Sequence, residues 1–144
     1  MENKTVLVTG ATAGIGRETA LQLARQGATV IVGGRDKAKS RTVVEQIRQS
    51  TGNPNVDYVL GDLASIDGTL AVARQVKDRY QRLDVLINNV GAVFLSRQET
   101  MDGFEQSFAL NYLAGHFLLT LHLRDLLEAS APARIINVSS SAHF

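Results

Sequence analysis

Cysteine is absent from the 144-residue sequence, which excludes disulfide bonds and metal sites built on thiolates. No apolar run reaches the ~18 residues that a membrane-crossing helix needs. Residues 1–4 lead directly into a predicted strand, so we expect no secretory signal. Histidine, aspartate and glutamate do not cluster at the spacing of metal ligands, and we expect no metal. The cytoplasm is the default location for such a chain.

The positive and negative charges of the sequence nearly balance. Fifteen Lys and Arg residues face fourteen Asp and Glu residues, a formal net charge of +1. This balance lacks the basic stripe that is typical of nucleic-acid binding. The hydrophobic fraction of 44% and the length fit one globular domain over residues 1–144 with a substantial core.

A glycine-rich turn follows the first apolar strand. Gly10, Gly14 and Gly16 come directly after Thr5–Thr9, and a helix continues behind them through Ala24. Such glycines let the backbone turn tightly and let a ligand approach it. A helix that begins there points unpaired N–H groups at the ligand, which favours a phosphate. The alternative is a plain tight connection.

The remaining apolar segments alternate between continuous runs, typical of buried parallel strands, and runs with helical spacing. Strands are expected at 5–9, 28–32, 56–60, 83–87 and 134–138, with later helices at about 37–49, 66–80 and 103–127. Strands that alternate with helices predict an α/β fold, a doubly wound parallel sheet of right-handed βαβ units. Polar segments follow every strand, at the sheet edge where ligands bind in such folds.

Short motifs with definite spacing lie along the whole chain: Thr9-Gly10-x-x-x-Gly14-Ile15-Gly16, Asp62-Leu63, Asn88-Asn89-Val90-Gly91, Asn111 and Asn137-Val138-Ser139-Ser140. Together they resemble the short-chain dehydrogenases/reductases, which have a Rossmann-like fold. Three further segments are similar to the retinol dehydrogenase-like branch of that family: Asp102-Gly103-Phe104-Glu105, His116-Phe117-Leu118-Leu119-Thr120 and Ala131-Pro132-Ala133-Arg134.

The resemblance implies an NAD(P)-dependent oxidoreductase acting on a small aldehyde, ketone or alcohol, with the hydride chemistry supplied by the nicotinamide. It assigns pyrophosphate binding to the glycine-rich loop. It also implies that Asp62 accepts from the adenine amino group. The implied cofactor-binding residues are Gly10, Thr12, Gly14, Ile15, Gly16, Asp62, Leu63, Asn89 and Gly91. Two alternatives stay open: Asp62 could cap the following helix, and Asn88-Asn89 could be a simple turn.

The end of the second strand bears on cofactor choice. In NAD enzymes a carboxylate at this place binds the adenosine ribose, but the aligned residue here is Gly34. Arg35 follows it and could pair with a 2′-phosphate. We therefore expect NADP, with NAD possible and with Asp36 close enough to oppose. The alternative is that Arg35, like Arg17, is a solvated surface residue.

The resemblance also implies two catalytic residues. Ser140 would orient the substrate carbonyl, and Asn111 would support a proton relay. Between Asn111 and His116 the chain is one residue longer than its relatives. An added residue turns a helix by about 100° unless a π-bulge absorbs it. His116 and His122 are expected to be packing or surface residues.

The family's Tyr-x-x-x-Lys pair lies beyond the serine. No tyrosine of this sequence is followed by a lysine at that spacing. We therefore expect the amino-terminal portion of such an enzyme, without its last strands and helices, and inactive or nearly so. The fifth strand would then be an unprotected edge. The alternative is a non-catalytic dinucleotide-binding or interaction module. In relatives the helix over 103–127 packs against its copy, which predicts a homo-oligomer or aggregation.

Overall fold

A computed structural model describes residues 1–140 of the protein as one five-stranded, wholly parallel sheet in the order β3-β2-β1-β4-β5. The strands lie close to the expected positions: β1 Thr5–Thr9, β2 Thr29–Gly34, β3 Val56–Leu60, β4 Val85–Asn88 and β5 Arg134–Asn137. The predicted α/β, doubly wound, Rossmann-like fold is confirmed.

Helices cover both faces of the sheet. They are α1 Gly14–Arg25, α2 Lys37–Thr51, α3 Ile66–Arg79, α4 Gln106–Phe108, a π-helix over Ala109–Leu119 and α5 Thr120–Ala129. Successive strand residues point to opposite faces. Val6 and Val8 therefore pack with α1 and α2, whereas Leu7 packs with α3 and α5. This burial on both faces explains why the strands are continuously apolar.

Polar residues set the starts of α2 and α3. The Asp36 carboxylate accepts from Lys39 N at 2.8 Å, and the Ser65 hydroxyl accepts from Gly68 N at 3.1 Å. Each cap satisfies an N–H group that the helix itself leaves without a partner. Gly52 ends α2 in the left-handed conformation, with φ of 70°.

The helix predicted over 103–127 is corrected in bounds and in type. Gly103 adopts a φ of 79°, and the Glu105 carboxylate accepts from Ser107 N and Phe108 N at 2.9 Å each. The helical region therefore begins at Gln106 and ends at Ala129. Its middle is a π-helix, as expected if a wider turn absorbs one added residue. At the start of α5 the Thr120 hydroxyl donates back to Gly115 O of the π-helix at 3.1 Å.

Two strands at one end of the sheet are joined by a buried carboxylate. Asp84, 2% exposed, accepts hydrogen bonds from Lys4 Nζ, Arg82 Nε and Thr5 N, each at 2.9 Å. Burial raises the pKa of Asp84, but these donors outweigh burial and hold that pKa well below its usual range. The carboxylate thus anchors the start of β1 beside the start of β4.

β5 is an outer strand of the sheet and pairs with β4 alone in the described part of the chain. Its apolar side chains are open to solvent, since Ile135 is 47% exposed and Ile136 is 44% exposed. The prediction of an unprotected fifth strand is confirmed for the described residues.

Candidate functional site

A cleft of about 280 Å³ opens at the carboxyl ends of β1 to β4. Residues from every one of these strand ends contribute to it, together with the segment that leads into the π-helix. Its lining contains six of the residues expected to bind the cofactor: Gly10, Thr12, Arg35, Asp62, Leu63 and Gly91. The expected placement of the polar strand ends at a common edge is therefore confirmed for β1 to β4.

The glycine-rich loop needs glycine at two positions for different reasons. Gly10 has a φ of 64°, and a Cβ atom there would lie 3.1 Å from Val90 Cα. At Gly16 a Cβ atom would lie 2.4 Å from Asn89 Nδ2. The loop thus packs directly on the end of β4.

Gly14, Ile15 and Gly16 form the first turn of α1 and do not line the cleft. Ala13 stands at the N-cap, and its methyl group cannot accept a hydrogen bond. The N–H groups of this turn are left for another acceptor, which suits a phosphate.

Asn89 joins β1 to β4. Its Nδ2 donates to Thr9 O at 2.9 Å, and its backbone N donates to Thr9 Oγ1 at 2.9 Å. Asn89 does not line the cleft. Asn88 is the buried last residue of β4 and donates to Asn137 Oδ1 at 2.8 Å, so the interpretation of Asn88 as a turn is wrong. These amides hold neighbouring strand ends in place.

Asp62 lies in the cleft beside Leu63. Its Oδ1 accepts from Ala64 N at 3.0 Å, which forms a local turn. The cap of α3 is Ser65, so the alternative of Asp62 as a helix cap is wrong. The carboxylate stays at the mouth of the cleft, exposed to solvent.

The end of β2 carries a cation into the cleft. Arg35 lines it and is exposed, and the Asp36 carboxylate beside it is engaged in capping α2. At Gly34 a Cβ atom would lie 2.4 Å from Ser40 Oγ and 2.7 Å from Thr12 Cγ2. Arg17, by contrast, binds Gln46 Oε1 at 3.1 Å and does not line the cleft.

Asn111 lies outside the cleft lining and contacts the segment after β4. Its Oδ1 accepts from Ala92 N at 2.9 Å, and its Nδ2 donates to Ala92 O at 2.8 Å. Ser140 is the last described residue and follows β5. The structure therefore does not bring Asn111 and Ser140 into the cleft with the cofactor-binding candidates.

One wall of the cleft was missed by reasoning from the sequence. It consists of Ala92, Phe94, Gln106 and Leu110. Asp102 anchors this wall, because its carboxylate accepts from Ile66 N at 2.8 Å, the first residue of α3. The sequence signal for this wall is the segment Asp102-Gly103-Phe104-Glu105, which resembles the retinol dehydrogenase-like branch but does not reveal the contact with α3.

The family follows from comparison with known proteins. The family model described as short chain dehydrogenase matches residues 4–144. The chain belongs to the short chain dehydrogenase family. It is 49% identical over 140 residues to retinol dehydrogenase 13 of Mus musculus, covering 97% of this chain and 42% of that protein. It is 42% identical over 146 residues to polyprenol dehydrogenase of Homo sapiens, covering 99% of this chain and 44% of that protein.

The chain thus spans less than half of the length of these curated relatives, and it is similar to an amino-terminal portion of the retinol dehydrogenases. A crystal structure of a short chain dehydrogenase from Escherichia coli CFT073, complexed with NADPH, matches with a TM-score of 0.82 at 33% identity. The match covers 98% of this chain and 60% of that one.

Within residues 1–140, no three His, Asp or Glu side chains are grouped as metal ligands. No helix in that range is both long and apolar enough to span a membrane.

The two histidines of the helical region are packing or surface residues, as expected. His116 stacks on Tyr112 with ring centroids 6.0 Å apart, and His122 is exposed.

Proposed function

We propose that this chain is the dinucleotide-binding portion of an NADP(H)-dependent oxidoreductase that interconverts a small alcohol with an aldehyde or ketone. The observation that carries the proposal is the arrangement of residues 34–36 at the end of β2. Arg35 enters the cleft there, position 34 has no room for a carboxylate side chain, and Asp36 is engaged in capping α2. The NADPH bound to the Escherichia coli relative supports the same cofactor.

The described residues fit such a cofactor. Gly10 lines the cleft at the end of β1, and the first turn of α1 offers its N–H groups to a pyrophosphate. Arg35 would pair with the 2′-phosphate, and Asp62 would accept from the adenine amino group. When bound, the nicotinamide supplies the hydride chemistry. Gly91 would line the ribose, while Asn89 would act by holding the loop.

The substrate side rests on Ser140 and Asn111. We infer that the Ser140 hydroxyl orients the substrate carbonyl and that Asn111 supports proton transfer by holding Ala92. The sequence contains no tyrosine followed four residues later by a lysine, the pair that supplies the proton in the family. The chain by itself is therefore proposed to bind the cofactor without turning over a substrate. Its similarity to retinol and polyprenol dehydrogenases favours this function over a non-catalytic module.

The helical region that begins at Gln106 and ends at Ala129 is proposed as an association surface. Phe108, Tyr112, Phe117 and Leu121 are 48% to 56% exposed, more apolar surface than one helix of a monomer usually leaves open. We propose that it pairs with a second copy, giving a homo-oligomer or larger aggregates.

Calorimetric titration of NADP⁺ into the chain tests the proposed function. We expect saturable binding of one cofactor per chain, a raised unfolding temperature because only the folded state binds, and no oxidation of NADPH with a panel of aldehydes and ketones. Absence of binding by chain that circular dichroism shows to be folded would refute cofactor binding. Steady turnover would refute the inactivity of the chain alone.

A further inference from the structure

The side chain of Gln106 carries a buried oxygen that has no hydrogen-bond partner in the described part of the chain. It lines the cleft, and its Oε1 is buried without a hydrogen-bond donor among residues 1–140. A buried polar atom without a partner is costly and needs an explanation. Asn88 Oδ1 shares this condition, but it lies in the space left by Gly115, where a Cβ atom would be 3.2 Å away. Gln106 lines the cleft whereas Asn88 does not, so the oxygen of Gln106 is the candidate for contact with a ligand.

The backbone of Gln106 is held firmly. Its N donates to Gln98 O at 2.9 Å, and the Glu105 carboxylate binds the next two backbone N–H groups. The Asp102 carboxylate fastens the same segment to Ile66 N at the start of α3. The backbone at Gln106 is thus fixed before a ligand arrives, which lowers the entropic cost of binding.

These contacts also show which end of the cleft lies beside the segment of Gln106. The segment that carries it is fastened to α3, which directly follows Asp62 and Leu63 at the end of β3. A second small cavity, lined by Leu63, Ala64 and Ile66 together with Asp102 and Ala109, lies between the same two segments. The segment that carries Gln106 therefore lies beside the β3 end of the cleft.

The surroundings suit a flat base with an exocyclic amino group. Leu63, Phe94 and Leu110 supply apolar lining, and Asp62 and Gln106 supply acceptor oxygens. An amide side chain pairs well with adenine, because its oxygen accepts from the N6 amino group while its nitrogen donates to a ring nitrogen. An amino group has two hydrogens, enough for the Asp62 carboxylate and for Gln106 together.

We propose that Gln106 is a specificity residue for adenine, with its Oε1 accepting a hydrogen bond from the exocyclic amino group of the dinucleotide. The assignment rests on the proposed function, because it places the adenosine part of NADP at the β3 end. It adds a second acceptor beside Asp62 once the buried amide of Gln106 turns its oxygen toward the bound base, and it gives that oxygen its donor.

A cycle of ligand and residue changes tests the proposal. The ligands are NADP⁺ and its analogue in which the adenine amino group is replaced by hydrogen. Both are titrated calorimetrically into the wild type, Gln106→Met, Gln106→Glu and the control Gln49→Met, an exposed position on α2. Met keeps the length of the side chain without its polar atoms, whereas Glu keeps the acceptor.

The wild type should bind NADP⁺ more tightly than the analogue. In Gln106→Met that ratio should fall about tenfold, the worth of one buried hydrogen bond. Gln106→Glu should keep most of the ratio while weakening both ligands by charge repulsion, and Gln49→Met should change neither value. An unchanged ratio in folded Gln106→Met would overturn the assignment while leaving cofactor binding intact. Failure of the wild type to bind either ligand would refute the proposed function and this assignment with it.

Discussion

The side chain of Thr12 occupies space that a side chain on Gly34 would need. A Cβ atom on Gly34 would lie 2.7 Å from Thr12 Cγ2, and Ser40 Oγ would be nearer still, at 2.4 Å. Ser40 is buried and donates to Asp36 O at 2.7 Å, so it cannot turn away freely. The loop after β1 and the start of α2 thus close on the end of β2, and Arg35 is the first residue there that can reach a ligand.

Substitution at Gly34 tests this packing. Gly34→Ala should lower the free energy of unfolding by about 1–3 kcal/mol, the usual cost of overpacking. Gly34→Asp should lower it at least as much, and it should not tighten NAD⁺ binding, because the carboxylate has no space beside Thr12. Chemical denaturation and calorimetry measure both effects. A stable Gly34→Asp variant that binds NAD⁺ tightly would contradict the packing argument.

Asp84 should be worth more to stability than a surface carboxylate. Asp84→Asn removes the acceptor charge for three donors and should lower the free energy of unfolding by about 1.5–3 kcal/mol, from hydrogen bonds to a charged group. The control is Asp57→Asn, because Asp57 pairs with Arg79 at a partly exposed site. The control should cost at most about 1 kcal/mol, as measured by urea denaturation.

The pH dependence of the same variant follows from the lowered pKa of Asp84. Its contribution to stability is complete above the unfolded pKa of about 3.9 and is lost as the pH falls from there toward the lower folded pKa. Between about pH 5 and pH 3 the wild type should therefore lose more stability than Asp84→Asn. Parallel stability curves for the two proteins would show that Asp84 is not stabilised as a charged group.

The proposed association surface carries a row of aromatic rings. Phe108 stacks on Tyr112 at 5.5 Å between ring centroids, and Tyr112 stacks on His116 at 6.0 Å. Tyr112→Lys should break this row and raise the dissociation constant of the oligomer by at least about tenfold. Leu95→Lys changes a fully exposed residue of the loop and should have little effect. Light scattering that gives a monomer for the wild type at every concentration would remove the proposal.

Much of the fold could be predicted because burial on both faces leaves a direct mark on the sequence. Val30, Ile31 and Val32 form a continuous apolar run, and Gly10 and Gly16 are the residues that the turn requires. The ends of the strands are harder to predict, since β4 is expected to end at residue 87 but extends to the polar Asn88. Asn88 is a buried strand residue because Asn137 and Thr120 supply its partners, which lie far away along the chain.

The π-helix could be anticipated only as one way of absorbing an added residue. Hydrophobic spacing does not encode which carbonyl each N–H group chooses, so the extent of the π-turns over Ala109–Leu119 needed the structure. Gln106 was missed for a related reason. A single glutamine ahead of an apolar helix is not part of any recognisable motif. The role proposed for it depends on the contact of Asp102 with α3.

The preference for NADP⁺ over NAD⁺, measured by calorimetric titration of the wild type and Arg35→Ala, tests the account most directly. A charge-assisted contact with the 2′-phosphate contributes on the order of 1.5–3 kcal/mol, so the wild type should prefer NADP⁺ by roughly tenfold to a hundredfold. Arg35→Ala should abolish the preference and leave NAD⁺ affinity unchanged, while Arg25→Ala, at the far end of α1, should retain it. Added salt should weaken NADP⁺ more than NAD⁺. Equal affinities in the wild type, or a preference that survives Arg35→Ala, would contradict the account.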